Sequence, residues 1–444
     1  MFTRNVEIDL ERWANDEYRK PLILRGARQV GKTTIVNNFA HKFENYLPVN
    51  LEKLEAVKLF ESTNDVKELL PLLFLYCNVQ RRSGRTLLFI DEIQYSPYTV
   101  SLLRYFYEEL PEIHVIAAGS LLETVLDRHI SLPVGRVQYK ALHPCSFTEF
   151  LNAIGETRFL EPLSNANLPE IFHTRLNELF RIYALIGGMP EVVARYADKR
   201  DFTALDDIYN ALLAAYKNDA EKYAGNKTQQ AVIGYILEEG WTFSGETITL
   251  GGFGGSPYKA RETNEAFRML SKAMLLELVY PLTSALMPMI SDLKKKPKLF
   301  WFDVGLVNYA AKIRKEYVIK SDLMDTWRGK ASEQIAAQEL KALSTDVGAK
   351  RNFWVRAKRG STAEVDLIYL FDGNIIPIEV KSGHNAHLKS LHQFMDEAAH
   401  DIAVRIWTGK YAIDEVKTQS NKTFKLINLP FYMISALPNI LKKI

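Results

Sequence analysis

The sequence predicts an α/β chain built in sections: a parallel α/β unit, then a helical middle, then a smaller α/β unit. Three observations predict it. Short apolar runs near 22–25, 46–51, 86–90, 113–118 and 136–140 alternate with helix-compatible stretches, the pattern of a parallel sheet with crossover helices. The segments CSFTEFLNAI, IFHTRLNELFRIYALIG and DDIYNALLAAYKNDAEKY, within 145–225, space their apolar residues three and four apart. Near the C-terminus two β-rich runs flank Asp372-Gly373, a favoured two-residue hairpin turn.

Composition sets the outer bounds. The chain has 444 residues, 47% hydrophobic and 25% charged, which excludes a largely disordered protein. Cys77 and Cys145 are too few for a disulfide framework or a zinc cluster, so a reducing cytoplasm is expected. The opening MFTRNVEIDLERW lacks a signal-peptide core. The apolar runs 69–77 and 273–290 are too short or too interrupted to span a bilayer, so no membrane association is expected. The whole chain carries a net +3, but residues 291–360 hold 16 Lys and Arg against 8 Asp and Glu. That basic zone fits an anionic partner or a solvated surface equally well.

The first unit carries phosphate chemistry. In PLILRGARQVGKTTIVNNF, an apolar run leads into Gly26-x4-Gly31-Lys32-Thr33 and a helix follows. This is the P-loop context. The stretch Gly26, Ala27, Arg28, Gln29, Val30, Gly31, Lys32, Thr33, Thr34 is expected to bind ATP. Its backbone N–H groups would face phosphate, Lys32 would reach the β- and γ-phosphates, and the Thr33 hydroxyl would ligate Mg²⁺. The run TLLFIDEIQ ends in Asp91-Glu92. Asp91 is expected in the Mg²⁺ shell, and Glu92 as the catalytic residue that polarises the attacking water. IHVIAAGS ends in Ser120, which either contacts the γ-phosphate or caps the helix that follows. All of these lie at the carboxyl ends of expected strands, where parallel sheets bind ligands.

GARQVGKTT, LLFIDEIQ, AAGSLLE, VGRVQYKALHPCSFTEF and GGMPEVV together resemble a bacterial AAA-type ATPase family. Members carry a C-terminal domain long described as of unknown function and assigned to the PD-(D/E)xK nuclease-like superfamily. The resemblance covers nearly the whole chain. It implies kinship with signal-transduction ATPases, whose GxP motif matches Gly188-Met189-Pro190. It also implies that Arg136 reads the γ-phosphate, in its own subunit or a neighbour's. A structural salt bridge is the other reading of Arg136.

The segment 228–302 reads as helix (229–239), Gly-rich connection, helix (258–273), then strands at 275–282 and 298–302. That order resembles a winged helix-turn-helix. Lys259, Arg261, Arg268 and Lys272 would suit a DNA groove, whereas Glu262 and Glu265 favour domain packing. The lysines of LKKKPKLFWFD read first as a solvated wing, with contact to nucleic-acid phosphates as the other reading.

The C-terminal hairpin gives the second site. A two-residue turn at Asp372-Gly373 sets Phe371 against Asn374, Asp366 against Glu379 and Glu364 against Lys381. Three carboxylates and a lysine then share one face, with Val365, Leu367, Ile378 and Val380 on the other. Close carboxylates repel unless a cation joins them. Asp366 and Glu379 can ligate Mg²⁺ through hard oxygens, and Lys381 can activate water. This is the D-x(n)-E-x-K pattern of the PD-(D/E)xK superfamily, with Val365 where proline often stands. Glu333, on an expected helix, is the additional carboxylate that such nucleases often carry. His384 and His387 read as loop residues.

The expected organisation is therefore a P-loop parallel α/β domain (1–145), a helical lid-like region (146–225), a winged helix-turn-helix (226–310) and a restriction-endonuclease-like α/β domain (311–444). The expected ligands are ATP, Mg²⁺ and a nucleic acid, DNA before RNA. A homo-oligomer is compatible with the family. The alternative is a nucleotide-driven switch whose C-terminal domain binds partners without cutting.

Overall fold

A computed structural model describes residues 2–119, 135–313, 330–358, 360–381 and 388–444, with the backbone alone for 220–223 and 330. Five strands form the first sheet: β1 (Leu22–Arg25), β2 (Asn45–Asn50), β3 (Thr86–Asp91), β4 (Ile113–Gly119) and β5 (Gln138–Ala141). Their order is β2-β3-β4-β1-β5 and every pairing is parallel. β3 and β4 are buried along their whole length, because helices cover both faces. Leu87, Phe89 and Ile116 enter the core formed with Trp13, Val36 and Phe39. Leu88, Ile90 and Val115 enter the opposite core, with Leu73, Leu102 and Phe106. The strands expected from sequence are all present, within two residues at their ends.

The helical middle follows. The helix Phe147–Ala153 starts at a capping box in which Ser146 and Glu149 satisfy each other's backbone N–H groups. The helix His173–Ile186 stops at Gly187-Gly188, and Pro190 opens the next, Pro190–Lys199. The helix Asp206–Tyr223 leads to Lys227–Glu239, and after a Gly-rich connection comes Ala260–Lys272. Three short strands make an antiparallel sheet: β6 (Glu246–Thr247), β7 (Leu276–Val279) and β9 (Lys298–Trp301), in the order β6-β9-β7.

The expected single strand over 275–282 is instead two. β7 stops at Val279, and β8 (Pro281–Leu282) leaves to pair in parallel with β10 (Asn352–Val355). It thereby becomes the edge of a seven-stranded mixed sheet that also holds β11 (Glu364–Phe371), β12 (Asn374–Lys381), β13 (Ile402–Trp407), β14 (Ala412–Lys417) and β15 (Thr423–Pro430). The order is β14-β15-β13-β12-β11-β10-β8. The helix Lys330–Ala342 contributes Ile335, Ala336 and Ala337 to the core that holds Leu367 and Ile378. The helix Lys389–Glu397 packs Leu391, Phe394 and Met395 against Trp354 and Ile368. The C-terminal sheet thus takes a strand from the middle region, across the expected boundary at 310–311. Among the described residues no helix is long and apolar enough to cross a membrane.

Candidate functional site

The loop after β1 is shaped by two glycines. Gly31 has φ 97°, in the left-handed region, and opens the helix Lys32–Phe39. A Cβ on Gly26 would stand 2.5 Å from the Leu142 carbonyl oxygen, so no side chain fits there. Lys32 is 7% exposed and its ammonium donates to the Gly26 and Ala27 carbonyls at 2.9 Å each. Burial lowers its pKa to about 8, against the pull of Glu92 and Asp91. The Thr33 hydroxyl donates to Asp91 Oδ2 at 2.7 Å, and the Glu92 N–H donates to Asp91 Oδ1 at 3.1 Å. Burial raises the pKa of both Asp91 and Glu92. The parallel register places Asn50 beside Asp91 and Arg25 beside Gly119, which gathers these groups at one sheet edge.

Three supports of this loop have no role in the sequence reading. Arg4 is buried, donates to the Val30 carbonyl at 3.2 Å and the His143 carbonyl at 2.7 Å, and pairs with Glu149 at 3.0 Å. Asp219, on the helix Asp206–Tyr223, pairs with Arg28 at 2.5 Å. Gln94 is buried and donates to Glu92, while its own Oε1 has no partner. Only Gln94 lies close enough in sequence to be suspected, two residues beyond Glu92.

Arg136 does not approach this loop in its own chain. β5 runs parallel to β1 with Gln138 beside Leu22, so Arg136 precedes the amino-terminal edge while the loop leaves the carboxyl edge. It pairs with Glu108. Ser120, His384 and His387 lie outside the described residues.

The GxP turn adjoins the loop. Pro190 Cγ lies 3.6 Å from where a Cβ on Gly31 would stand. The Gly188 N–H donates to Asp303 Oδ2 at 2.6 Å, and the Leu306 N–H donates to Asp303 Oδ1 at 3.0 Å. Asp303 is fully buried, and burial raises its pKa to about 6.

In the C-terminal hairpin the expected register holds from Phe371–Asn374 to Leu367–Ile378 and ends there. The reason lies on the other side of β11. Trp354 pairs with Val365 but Asn352 with Ile368, so one extra residue is inserted opposite β10, a β-bulge at Asp366 and Leu367. The bulge corrects two expectations. Asp366 is not simply opposed to Glu379; its Oδ2 accepts from the Val380 N–H at 2.8 Å. Val365 and Leu367 do not share a side, since Val365 joins Trp354 and Ile368 in one core and Leu367 joins Ile378 in the other. The expected Glu364–Lys381 pairing is also replaced. Lys381 pairs with Glu379 Oε1 at 2.7 Å, and Glu364 pairs with Lys298 at 2.7 Å.

The charges still converge. Glu333 lies 2.8 Å from Lys298. Burial and then Asp366 raise the pKa of both Glu333 and Glu379. Burial opposes the charge on Lys381, but Glu379 and Asp366 outweigh it and raise its pKa. Glu379 Oε2 is buried without a partner. Among the described residues no three His, Cys, Asp or Glu converge as a metal-holding group. Lys298, read from sequence as part of a solvated wing, is 2% exposed and belongs to this cluster.

Residues 18–151 match the family model described as AAA domain. Residues 177–317 and 328–432 match two models described as domains of unknown function, DUF8612 and DUF4143. Among curated proteins, the uncharacterized protein MJ1637 of Methanocaldococcus jannaschii is 24% identical over 200 residues, which is 41% of this chain and 40% of that protein's length. Among solved structures, the Walker-type ATPase PABY2304 of Pyrococcus abyssi aligns at 16% identity and a TM-score of 0.43, covering 70% of this chain and 96% of that one. C. elegans PCH-2 aligns at 10% identity and a TM-score of 0.29, covering 45% and 64%. The chain therefore carries an AAA-type P-loop ATPase domain, followed by a C-terminal domain of the DUF4143 type.

Proposed function

We propose that the protein is a Mg²⁺-dependent ATPase whose nucleotide cycle acts on a C-terminal PD-(D/E)xK-like site that handles DNA. The P-loop fits its ligand. Gly26 and Gly31 leave a cradle that side chains would fill or strain, and Lys32 is desolvated above it. Thr33 and Asp91 would hold Mg²⁺, which supplies charge neutralisation across the phosphates. Gln94 holds the Glu92 carboxylate, and burial makes that carboxylate a readier proton acceptor for a water. Arg136, at the far sheet edge, would serve a neighbouring copy's nucleotide, so a homo-oligomer belongs to this reading. Its setting is the cytoplasm, where ATP and DNA meet.

The observation that carries the nucleic-acid half is the unpartnered Glu379 Oε2 in the same cluster as Asp366, with Lys381 on the other oxygen. A buried carboxylate oxygen in that state calls for a cation. Asp366 and Glu379 would hold a divalent ion, Lys381 would orient water, and Glu333 would complete the acidic wall. The middle region, ordered as helix, helix and small sheet, fits a winged helix used for packing. Its helix Ala260–Lys272 pairs Arg261 with its own Glu265, at 3.3 Å.

The test has two arms. Lys32→Ala should abolish ATP turnover. Asp366→Ala should abolish Mg²⁺- or Mn²⁺-dependent DNA cleavage and leave ATP turnover intact. Wild-type protein inert toward DNA and RNA in every nucleotide state and metal would favour the second reading, a nucleotide-driven switch. The Gly188–Asp303 bond supports that reading, since it ties the turn beside the P-loop to the C-terminal half. A mass or hydrodynamic radius equal in ATP and ADP would remove it.

A further inference from the structure

Lys298 belongs to no nucleotide or nuclease motif, yet it sits among the C-terminal acids. It opens β9, a strand of the middle sheet. Its ammonium lies 2.8 Å from Glu333 Oε2 and 2.7 Å from Glu364 Oε1, and 5.0 Å from the centre of the Phe353 ring. Asp366 also acts on its charge, and it in turn acts on Glu379. A buried ammonium needs acceptors and a buried carboxylate needs a cation. Here each supplies the other, and Glu333 and Glu364 are engaged without any metal.

We propose that Lys298 is a tethered counter-cation that blocks divalent-metal binding at the C-terminal site. The proposal rests on the metal-site reading given above. Its cause is charge. A divalent ion held by Asp366 and Glu379 would share a poorly screened interior with a fixed ammonium, and the two would repel. Without the Lys298 charge, Lys381 would be the cation left facing Asp366 and Glu379. Two carboxylates so placed favour a hard divalent ion.

The strand also gives the ammonium a handle. Trp301, at the far end of β9, donates its N–H to Gln334 Oε1 at 3.0 Å and accepts from Gln334 Nε2 at 2.6 Å. Two residues on, Asp303 accepts from the Gly188 N–H at 2.6 Å. Gly188 begins the Gly-Met-Pro turn whose Pro190 packs beside Gly31 of the P-loop. One short run of chain, Lys298 to Asp303, therefore joins the acids to the turn that a bound nucleotide would push.

The experiment titrates the full chain with Mn²⁺ alone, read by calorimetry and by loss of the free-ion EPR signal. The proteins are wild type, Lys298→Met, Lys298→Gln, Asp366→Ala and the double variant Lys298→Met/Asp366→Ala. Asp366-dependent binding is the quantity compared, which sets aside any ion taken at the P-loop. Lys298→Met should bind at least tenfold more tightly than wild type, and the double variant should lose that gain. Lys298→Gln should tighten binding too, since it removes the charge that Glu333 and Glu364 neutralise. Equal or weaker Mn²⁺ affinity in Lys298→Met, with Asp366-dependent binding still measurable, overturns the counter-cation proposal and leaves the metal site standing. Absence of Asp366-dependent binding in every variant overturns the metal site itself. Should Lys298→Met fail to fold, Lys298→Gln, which keeps a polar side chain at the position, decides: unchanged or weaker affinity overturns the proposal.

Discussion

Glu339 offers the sharpest physical test of how the three regions are joined. It is fully buried on the helix Lys330–Ala342, accepts from the Tyr183 hydroxyl at 2.6 Å, and accepts from the Phe147 N–H at 3.1 and 3.3 Å on its two oxygens. Burial outweighs these bonds and raises its pKa from 4.5 to about 7. An acid raised in the folded state adds no penalty below its unfolded pKa. The penalty grows as pH climbs through 4.5 to about 7, and is complete above that. A shift of that size corresponds to about 3 kcal/mol. Glu339→Gln removes this titration. It also loses part of one hydrogen bond, at about 1 kcal/mol, since the Tyr183 hydroxyl can turn to accept instead. The variant should therefore be less stable than wild type at pH 4, by about 1 kcal/mol, and more stable at pH 8, by about 2 kcal/mol. Thermal melts of both proteins at the two pH values read this as a change in sign of the Tm difference. A Tm difference that keeps one sign and one size at both values would refute the assignment of a strained, charged Glu339.

Four further outcomes are expected. Gly188→Ala would place a Cβ 2.1 Å from the Cys145 carbonyl oxygen, so expression as folded protein should fall sharply, as judged by soluble yield and circular dichroism. Arg4→Met should leave Glu149 buried without its cation and cost about 3 to 5 kcal/mol, read by urea denaturation, with ATP affinity falling because Val30 loses its anchor. Thr33→Ala should retain nucleotide binding by fluorescence titration but lose its Mg²⁺ dependence, since the hydroxyl beside Asp91 is gone. Arg136→Ala should leave nucleotide affinity unchanged and lower turnover only where copies associate, a difference seen by assaying ATP hydrolysis across protein concentration.

The legible parts of the sequence were those in which one local pattern carries both structure and chemistry. Apolar runs ending in Gly26, Asp91 and Gly119 gave the strands of the first sheet, because a strand buried on both faces must be apolar throughout. The Asp372-Gly373 turn gave the hairpin register for the same kind of reason, since turn length fixes pairing. The bulge at Asp366 was not legible there, because it is imposed by β10, a strand that the hairpin's own spacing does not encode. Arg4 and Lys298 were illegible from the opposite cause. Each is a cation whose partners are distant in sequence, Glu149 for one, Glu333 and Glu364 for the other. A lysine at the head of KLFW looks the same whether it meets water or a buried acid.

That ambiguity bears on how the two halves of the chain are coupled. If the P-loop unit and the C-terminal unit were separate bodies joined by a linker, the residues between them would be exposed and polar. Instead Gln334, Gln338 and Glu339 are buried, on one helix. Gln334 bonds both backbone groups of Trp301, Gln338 accepts from the Val304 N–H at 2.8 Å, and Glu339 reaches Phe147 and Tyr183. Buried polar groups of this kind are costly unless every partner stays in register. The helix that brings Glu333 to the C-terminal acids is thus bound to the strand that brings Lys298, and to the helix that follows the AAA domain. A displacement of any one of these elements must break hydrogen bonds in the interior or carry the others with it. Rigid transmission is the cheaper of the two, and it makes the position of Lys298 among the acids depend on the Gly188–Asp303 contact.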